Sequence, residues 1–128
     1  MWTAPFDPAQ RTLYVDVLLV GPAASRWCTF IIDTGTQITI LDPAIADAVG
    51  YGAHMGTRTS HLSAMGHAEV GYRLPVQRLE TMGFAVENFE LACHEVAPEL
   101  GIDGLIGMDL CVGRVVTIDG VKGVLAVD

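Results

Sequence analysis

The chain has few basic residues, few cysteines and no long apolar segment, and each scarcity argues against a class of function. Its 128 residues contain seven Lys and Arg against fifteen Asp and Glu, a formal net charge of −8. A nucleic-acid-binding protein needs a basic surface to displace counterions from phosphates, so we expect no nucleic-acid partner. Recruitment to an anionic membrane surface is disfavoured for the same electrostatic reason.

Membrane and export signals are also missing from the sequence. No uninterrupted apolar run approaches the roughly 18–20 residues that a membrane-spanning helix requires. The first eight residues lack a basic region followed by an apolar one, which is the pattern of a secretory signal peptide. We therefore expect no membrane insertion of this chain and a cytoplasmic location.

The three cysteines, Cys28, Cys93 and Cys111, are an odd number at long, irregular spacing. This argues against a disulfide framework and favours a reducing compartment. There is no C-x-x-C pair, and the four histidines stand at spacings that do not complete a zinc pattern. We expect small buried thiols and neither a metal nor an organic cofactor.

Apolar residues, in contrast, are abundant. They make up 51% of the chain, which at this length predicts one domain with a real core. Residues 1–10 carry two prolines and no periodicity, so we expect an irregular N-terminal arm followed by a single domain over residues 11–128. The apolar fraction exceeds what one small monomer hides comfortably, which favours a subunit interface.

Short β-type runs punctuated by glycine and proline predict the secondary structure. Asp42-Pro43, residues 44–49 and Gly50 predict one helix, with a capping side chain, proline at its first position and a C-terminal glycine. Residues 108–111 can form a further helical turn. Strands are predicted at 13–20, 26–32, 37–41, 76–79, 84–96, 115–118 and 124–127, with a long hairpin over 56–76. Many short strands and one helix predict an all-β, barrel-like domain.

One acidic residue, Asp33, stands between two apolar β-type runs and is followed at once by Thr34 and Gly35. A carboxylate among apolar side chains is costly unless it is paired or hydrogen-bonded, so its position points to a function. A structural reading remains open, because Asp before Thr-Gly often caps its own backbone. The Asp-Thr-Gly tripeptide occurs once in the chain.

A second apolar element, Gly104 to Gly107, follows far downstream, and a hairpin lies between the two. This combination resembles the retropepsin-like aspartic proteases of single-domain bacterial and retroviral type. In that family a D-[TS]-G-[ATS] turn carries the catalytic aspartate, and a hydrophobic–hydrophobic–Gly element crosses behind it before a short helix. Residues 33–36 (DTGT) and 105–110 (LIGMDL) match these elements. The resemblance spans residues 13–127 and implies a closed barrel with one or two short helices.

The chemistry of this family needs two carboxylates, which at about 3 Å cannot both ionise easily and share one proton. One acts as general base on a water, and the other donates a hydrogen bond to the substrate carbonyl. With one such residue per chain, the resemblance implies a symmetric homodimer in which Asp33 faces its twin. Asp33 would be the catalytic carboxylate, Thr34 would lock the two loops together, and Gly35 would permit close approach of substrate and partner.

The resemblance also suggests which residues contact a peptide substrate. The hairpin from His61 to Glu69, with its tip near Met65-Gly66, would fold over an extended peptide, and the apolar walls favour cleavage between hydrophobic residues. Gln37, in place of a common acidic residue, and the single tip glycine depart from the family pattern and leave substrate preference open. The expected substrate-binding residues are Thr36, Ile38, Leu62, Met65, Gly66 and Ile106.

Three functions stay open on the sequence alone. The first is an aspartic endopeptidase, in which we expect Asp109 to serve only a structural hydrogen bond or salt bridge, such as one to an arginine. The second is a non-catalytic retropepsin-fold domain that dimerises or binds peptides. The third is a small-molecule-binding β-barrel with a chance Asp-Thr-Gly, which predicts a monomer.

Overall fold

The computed structural model of the chain describes residues 1–62 and 68–128. Within these residues, one helix, α1, spans Pro43–Ala48, and short 3₁₀ helices span Ala53–Met55, Pro98–Leu100 and Met108–Cys111. Across the same part of the chain, strands β1 to β10 span Trp2–Pro5, Tyr14–Val20, Ser25–Ile32, Ile40–Leu41, Thr57–Leu62, Ala68–Thr81, Phe84–Cys93, Gly104–Ile106, Val116–Asp119 and Val124–Val127.

Six strands close into a barrel in the order β2-β3-β8-β4-β7-β6, because β2 pairs with both β3 and β6. β5 extends this sheet beyond β6, while β1, β10 and β9 form a separate three-stranded sheet. The all-β barrel with a few short helices that the sequence predicts is confirmed.

The alternation of residues along β2 shows why the barrel holds together. Val15, Val17 and Leu19 are buried, whereas Tyr14 and Asp16 between and before them are exposed. Successive side chains of a strand point to opposite faces, so this pattern fixes which face enters the core. Burial of each large apolar side chain contributes on the order of 1.5–3 kcal/mol.

Local signals in the sequence set the helix and the last hairpin as expected. The Asp42 side chain accepts a hydrogen bond from the Ala44 N–H at 2.9 Å, Pro43 opens α1, and Gly50 has a φ of 99°. The Asp119 carboxylate accepts the backbone N–H groups of the following turn and so closes the β9–β10 hairpin.

Several segments differ from the prediction: the strand expected at 76–79 is part of the longer β6, the one expected at 84–96 ends at Cys93, and β8 was not predicted as a strand. Residues Trp2–Pro5 are not irregular but form β1, which pairs antiparallel with β10, and Pro5 is tolerated because β1 lies at a sheet edge. The expected strand at 37–41 shortens to Ile40–Leu41, because the backbone N–H of Thr39 bonds to a side chain instead of a neighbouring strand.

The three cysteines are free, and two of them, Cys28 and Cys93, lie in the core. Burial, with a smaller contribution from the nearby Asp103 carboxylate, raises the pKa of the Cys28 thiol to about 11. Burial likewise raises the pKa of Cys93 to about 12, against a smaller opposing hydrogen bond with Tyr72. Because the thiolate is the reactive form, these two side chains are inert core residues near neutral pH.

The described residues contain no helix that is both long and apolar enough to span a membrane.

Candidate active site

Asp33 lies in the loop that directly follows β3, and backbone hydrogen bonds fix where that loop begins. The Ile32 N–H donates to the Leu13 carbonyl at 3.0 Å, and the Asp33 N–H donates to the Ile106 carbonyl at 2.9 Å. A turn follows at once, since the Thr36 N–H donates to the Asp33 carbonyl at 3.2 Å. β3 thus delivers the aspartate to a tight turn anchored on β8.

The Asp33 carboxylate is half-buried and faces the open side of this turn. Its Oδ1 accepts the Gly35 N–H at 2.9 Å, a charge-assisted bond that orients the carboxylate. Thr34 and Gly35 beside it are exposed. A Cβ atom added at Gly35 would lie 3.2 Å from the same Oδ1, so glycine leaves this oxygen unobstructed. Residues 33–35, all expected in the site, therefore share one accessible surface.

Strand β8 is threaded between β3 and β4 behind this loop. It runs parallel to β3, with Ile32 opposite Ile106, and antiparallel to β4, with Leu41 opposite Gly104. A Cβ at Gly104 would meet the Ile40 carbonyl oxygen at 2.3 Å. The glycine is therefore required by the close approach of two backbones. This is the crossing element that the resemblance implies.

Past β8 the chain remains tied to the Asp33 loop. The Met108 N–H donates to the Thr36 carbonyl at 2.8 Å, and the Asp109 N–H donates to the Gln37 carbonyl at 3.2 Å. A Cβ at Gly107 would lie 2.6 Å from the Ile38 backbone. The loop of residues 33–38 is therefore held at its start and along its length by residues 106–109.

The fully buried Thr39 and the half-buried Asp109 form a hydrogen-bond hub at the end of the loop. The Asp109 carboxylate accepts the Thr39 N–H at 2.9 Å, the Thr39 hydroxyl at 2.7 Å and the Leu110 N–H at 2.9 Å. The Thr39 hydroxyl in turn accepts the Gly107 N–H at 3.1 Å, and the Thr39 carbonyl accepts the Ala92 N–H at 2.9 Å. Thr39 is fully buried.

The hub gives Asp109 the structural role that the sequence predicts, through hydrogen bonds with Thr39 and Leu110. Among the described residues no arginine forms an ion pair with Asp109. Thr39 itself was missed by the sequence reasoning. A hydroxyl residue next to an apolar strand is a weak signal, and its partner lies 70 residues away.

The expected substrate-binding residues fall in different places. Thr36 and Ile38 are half-buried in the Asp33 loop. Ile38 packs with Ile31 and Leu105 against a small apolar cluster. Ile106, in contrast, is only 1% exposed and belongs to the main core, so its burial speaks against direct contact with a substrate. Neighbouring strand residues face opposite sides, so Leu105, half-buried, is the better candidate.

The predicted hairpin over the site is described only in part. β5 and β6 pair antiparallel, and their register reaches Leu62 opposite Ala68. This pairing covers the two arms of the expected hairpin as far as Leu62 and Ala68. The side chain of Leu62, together with Met65 and Gly66 of the expected tip, lies outside the described part of the structure.

Comparisons with known proteins agree with this geometry. The Aspartyl protease family matches residues 24–110. The fold is similar to a retropepsin-like aspartic protease from Rickettsia conorii, with a TM-score of 0.65 and 20% identity over 93% of this chain and 92% of that chain. It is also similar to the retroviral protease-like domain of Ddi1 from Leishmania major, with a TM-score of 0.60 and 18% identity over 84% of this chain and 81% of that chain. No curated protein matches the chain.

The family match begins just before β3 and ends in the turn that carries Asp109, so it contains β3, the Asp33 loop, β4 and β8. At 18–20% identity the two solved structures speak for the fold alone, and they confirm the retropepsin-like barrel. Since the match covers more than half of the sequence, the chain belongs to the aspartyl protease family.

Proposed function

We propose that the protein is an aspartic endopeptidase that works as a homodimer, with the Asp33 residues of two chains forming the catalytic pair. The observation that carries this proposal is the Asp33 loop. Its carboxylate is oriented by the Gly35 N–H, lies at an accessible surface, and is backed by a rigid hydrogen-bonded layer. The Gly35 bond also caps the turn, so the proposal rests on the partly exposed carboxylate and on the hydrogen-bonded backbone that fixes its position.

The proposed mechanism uses one water and two carboxylates. One Asp33 acts as general base on a water that attacks the scissile carbonyl, while the other donates its proton to the carbonyl oxygen. Thr34, exposed at the same surface, is available to bond to the partner loop, and Gly35 leaves room for the substrate backbone. Both roles come from the family resemblance.

A second chain needs a surface on which to dock, and we propose the exposed apolar residues that begin at Met108, which contacts the Asp33 loop, and continue along the chain to β9. Met108 is 45% exposed, Val112 74%, Val115 65% and Ile118 47%. We call these four residues the 108–118 surface. Large exposed apolar side chains that follow one another along a chain are typical of interaction surfaces. Because the Met108 N–H bonds to the Thr36 carbonyl, docking here would bring two Asp33 loops close together.

The proposed substrate is an extended peptide with apolar residues beside the scissile bond. Ile31, Ile38 and Leu105 pack into one small cluster and remain partly exposed near the loop, which supports apolar subsites. The β5–β6 hairpin is the element proposed to cover the peptide. A cytoplasmic location fits the three free thiols, which a reducing compartment maintains.

The test is cleavage of a peptide library at several pH values, with Asp33→Asn as the control. We expect cleavage at apolar positions that Asp33→Asn abolishes. Cleavage that survives this substitution would remove Asp33 from the mechanism. A stable dimer that cleaves no peptide would instead favour the alternative, a non-catalytic retropepsin-fold domain that dimerises or binds peptides.

Sedimentation velocity tests the dimer separately. We expect Val115→Asp to shift the protein to a monomer and to remove activity, because a charge would be buried in the interface. Leu100→Asp is the matched control, since Leu100 is also apolar and 48% exposed but lies in the 3₁₀ helix Pro98–Leu100, outside the 108–118 surface. A wild-type protein that stays monomeric at all concentrations would end the dimer proposal.

A further inference from the structure

A cavity of about 560 Å³ opens on the barrel where the sheet is incomplete. The register of β2 with β6 covers Val17 to Val20 and stops there, whereas β2 continues to pair with β3 as far as Tyr14. The space beside the first residues of β2 lies between them and the β6–β7 turn. That turn is fixed by left-handed backbone at Met82 and Gly83, with φ values of 48° and 80°.

Aromatic side chains form much of the wall of this cavity. Tyr14 and Trp27 come from the outer face of β2 and β3, and they are 53% and 67% exposed. Trp2 and Phe84 contribute from β1 and from the start of β7. Exposed tryptophan and tyrosine together in a concave site are a common recognition surface, because their faces are both apolar and electron-rich.

The charges in the cavity are all of one sign. Asp16 of β2 and Glu80 of β6 line it, and no Lys, Arg or His does among the described residues. Glu80 forms an ion pair with Arg78, in which Arg78 Nε lies 3.5 Å from Glu80 Oε2. Asp16 forms no ion pair in the described part of the chain. Asp16 therefore gives the aromatic cavity one carboxylate that is not paired within the described residues.

Phe84, one of these aromatic residues, already makes a cation–π contact within the chain. On the side that faces an adjoining cavity, the Arg114 guanidinium carbon lies 3.6 Å from the centroid of the Phe84 ring. Stacking of this kind is the expected interaction of guanidinium and ammonium groups with aromatic rings. The aromatic rings of the larger cavity lack an equivalent cation among its lining residues, within the part of the chain described.

We propose that this cavity binds an arginine or lysine side chain carried by a segment of another polypeptide. The aromatic faces take the cationic head and its apolar stem, and Asp16 supplies the counter-charge. A net charge of −8 favours the approach of a basic partner and opposes that of a nucleic acid. The cavity is open to the outer sheet face, which leaves room for the backbone that carries the side chain. The site is independent of Asp33 and of the proposed peptidase activity.

The test is an NMR titration of the Asp33→Asn protein, which removes the complication of peptide cleavage. The probe is an end-capped Ala-Gly-Arg-Gly-Ala peptide, and the matched peptide carries citrulline, which has the same shape without the charge. We expect saturable shifts of the Trp27 indole N–H signal with the arginine peptide and at least tenfold weaker binding of the citrulline peptide.

Two variants locate the binding. Trp27→Ala and Asp16→Asn each change an exposed side chain, and we expect each to weaken the arginine peptide about fivefold or more. Glu99→Gln removes the same charge from an exposed residue outside the cavity and should leave binding unchanged. Free arginine amide should bind more weakly than the peptide.

Several results would overturn the proposal. Equal weakening by Glu99→Gln and Asp16→Asn would mean diffuse attraction rather than a site. Equal affinity for citrulline, or no saturation in the millimolar range, would exclude a cation site. Arginine amide that binds as tightly as the peptide would point to a small-molecule ligand instead. Loss of a dimer in Trp27→Ala would make this face a contact between copies of the chain.

Discussion

Asp33 and Asp109 follow two strands that run side by side, β3 and β8, and they relate to the surrounding backbone in opposite ways. The Asp109 carboxylate, half-buried like that of Asp33, accepts hydrogen bonds from Leu110 and from the fully buried Thr39. The Asp33 carboxylate accepts one described bond, from the Gly35 N–H two residues away, and is half-buried at an open turn. Asp109 therefore helps to hold the backbone in place, whereas Asp33 lies in the loop that this backbone supports.

The hydrogen bonds among Thr39, Gly107 and Asp109 hold the loop that carries the partly exposed Asp33 carboxylate. Thr39, Gly107 and Asp109 join the β8 crossing to the end of the Asp33 loop, so that the loop cannot move without breaking several buried bonds. A catalytic group must be held within a fraction of an ångström of its working position, and such a supporting layer supplies that rigidity. The layer and the exposed carboxylate should therefore respond differently to substitution.

The largest expected effect is on activity at Asp33. We expect Asp33→Asn to lower kcat/KM by about 10³-fold or more, because general acid–base chemistry is lost. Its free energy of unfolding should change by less than about 0.5 kcal/mol, as for a surface residue with few partners. Peptide cleavage and urea unfolding measure the two quantities. A decrease of more than about 2 kcal/mol in the free energy of unfolding would show that Asp33 has a structural role, like Asp109.

Gly107, beside Asp109, and Gly35, beside Asp33, allow the same substitution to be compared in the two regions. A Cβ at Gly107 would lie within 2.9 Å of three backbone atoms of Ile38, so we expect Gly107→Ala to cost about 3 kcal/mol. A Cβ at Gly35 would meet only Asp33 Oδ1, at 3.2 Å. The free energy of unfolding of Gly35→Ala should therefore lie within about 1 kcal/mol of the wild-type value. The variant should nevertheless lose activity, since the Asp33 carboxylate must shift. Equal stability losses in urea unfolding would contradict this.

Asp109→Asn should lower the free energy of unfolding by about 2 kcal/mol. The amide keeps one acceptor oxygen but turns an N–H₂ group towards Thr39, which leaves buried N–H or O–H donors without an acceptor. Activity per folded molecule should fall only a few fold, because Asp33 is untouched. Thermal and urea unfolding beside single-turnover cleavage measure both. A loss of activity as large as that of Asp33→Asn, in a fully folded protein, would show that Asp109 has a chemical role.

The last prediction concerns neither aspartate and applies only at alkaline pH, through the buried thiol of Cys28. Burial raises the pKa of Cys28 from 9.0 to about 11 in the folded protein, so its contribution to stability is present below pH 9 and is lost above it. The folded state binds more protons than the unfolded one in this range, so stability falls by up to about 1.4 kcal/mol per pH unit per thiol. Cys28→Ala should show a shallower decline between pH 9 and 11 in urea unfolding. An identical slope would contradict the assigned cause.

The parts of this molecule that the sequence predicts correctly have local signals. Asp42, Pro43 and Gly50 mark the helix by capping chemistry within a few residues, and Asp33-Thr34-Gly35 marks the exposed turn. The barrel follows from short alternating strands. These features depend on neighbours along the chain, so a pattern of residues is enough to find them.

The features that were missed depend on partners far away in the sequence. Thr39 meets Asp109 across 70 residues, and β1 forms only because β10 is beside it at the other end of the chain. Choosing Ile106 over Leu105 for substrate contact depends on which face of β8 enters the core. A one-residue shift reverses that face, and the two residues between Gly104 and Gly107 are both apolar, so they give no alternation to read.

The proposed mechanism requires two Asp33 residues, one from each chain of a dimer. The direct measurement is the activity of wild-type protein mixed with an equal amount of Asp33→Asn protein, after subunits have exchanged. If both Asp33 residues are required, about one quarter of the dimers are active, so activity falls to about half that of the same wild-type chains alone. Activity that stays equal to that of the wild-type chains alone would contradict the account, because each Asp33 would then work without a partner.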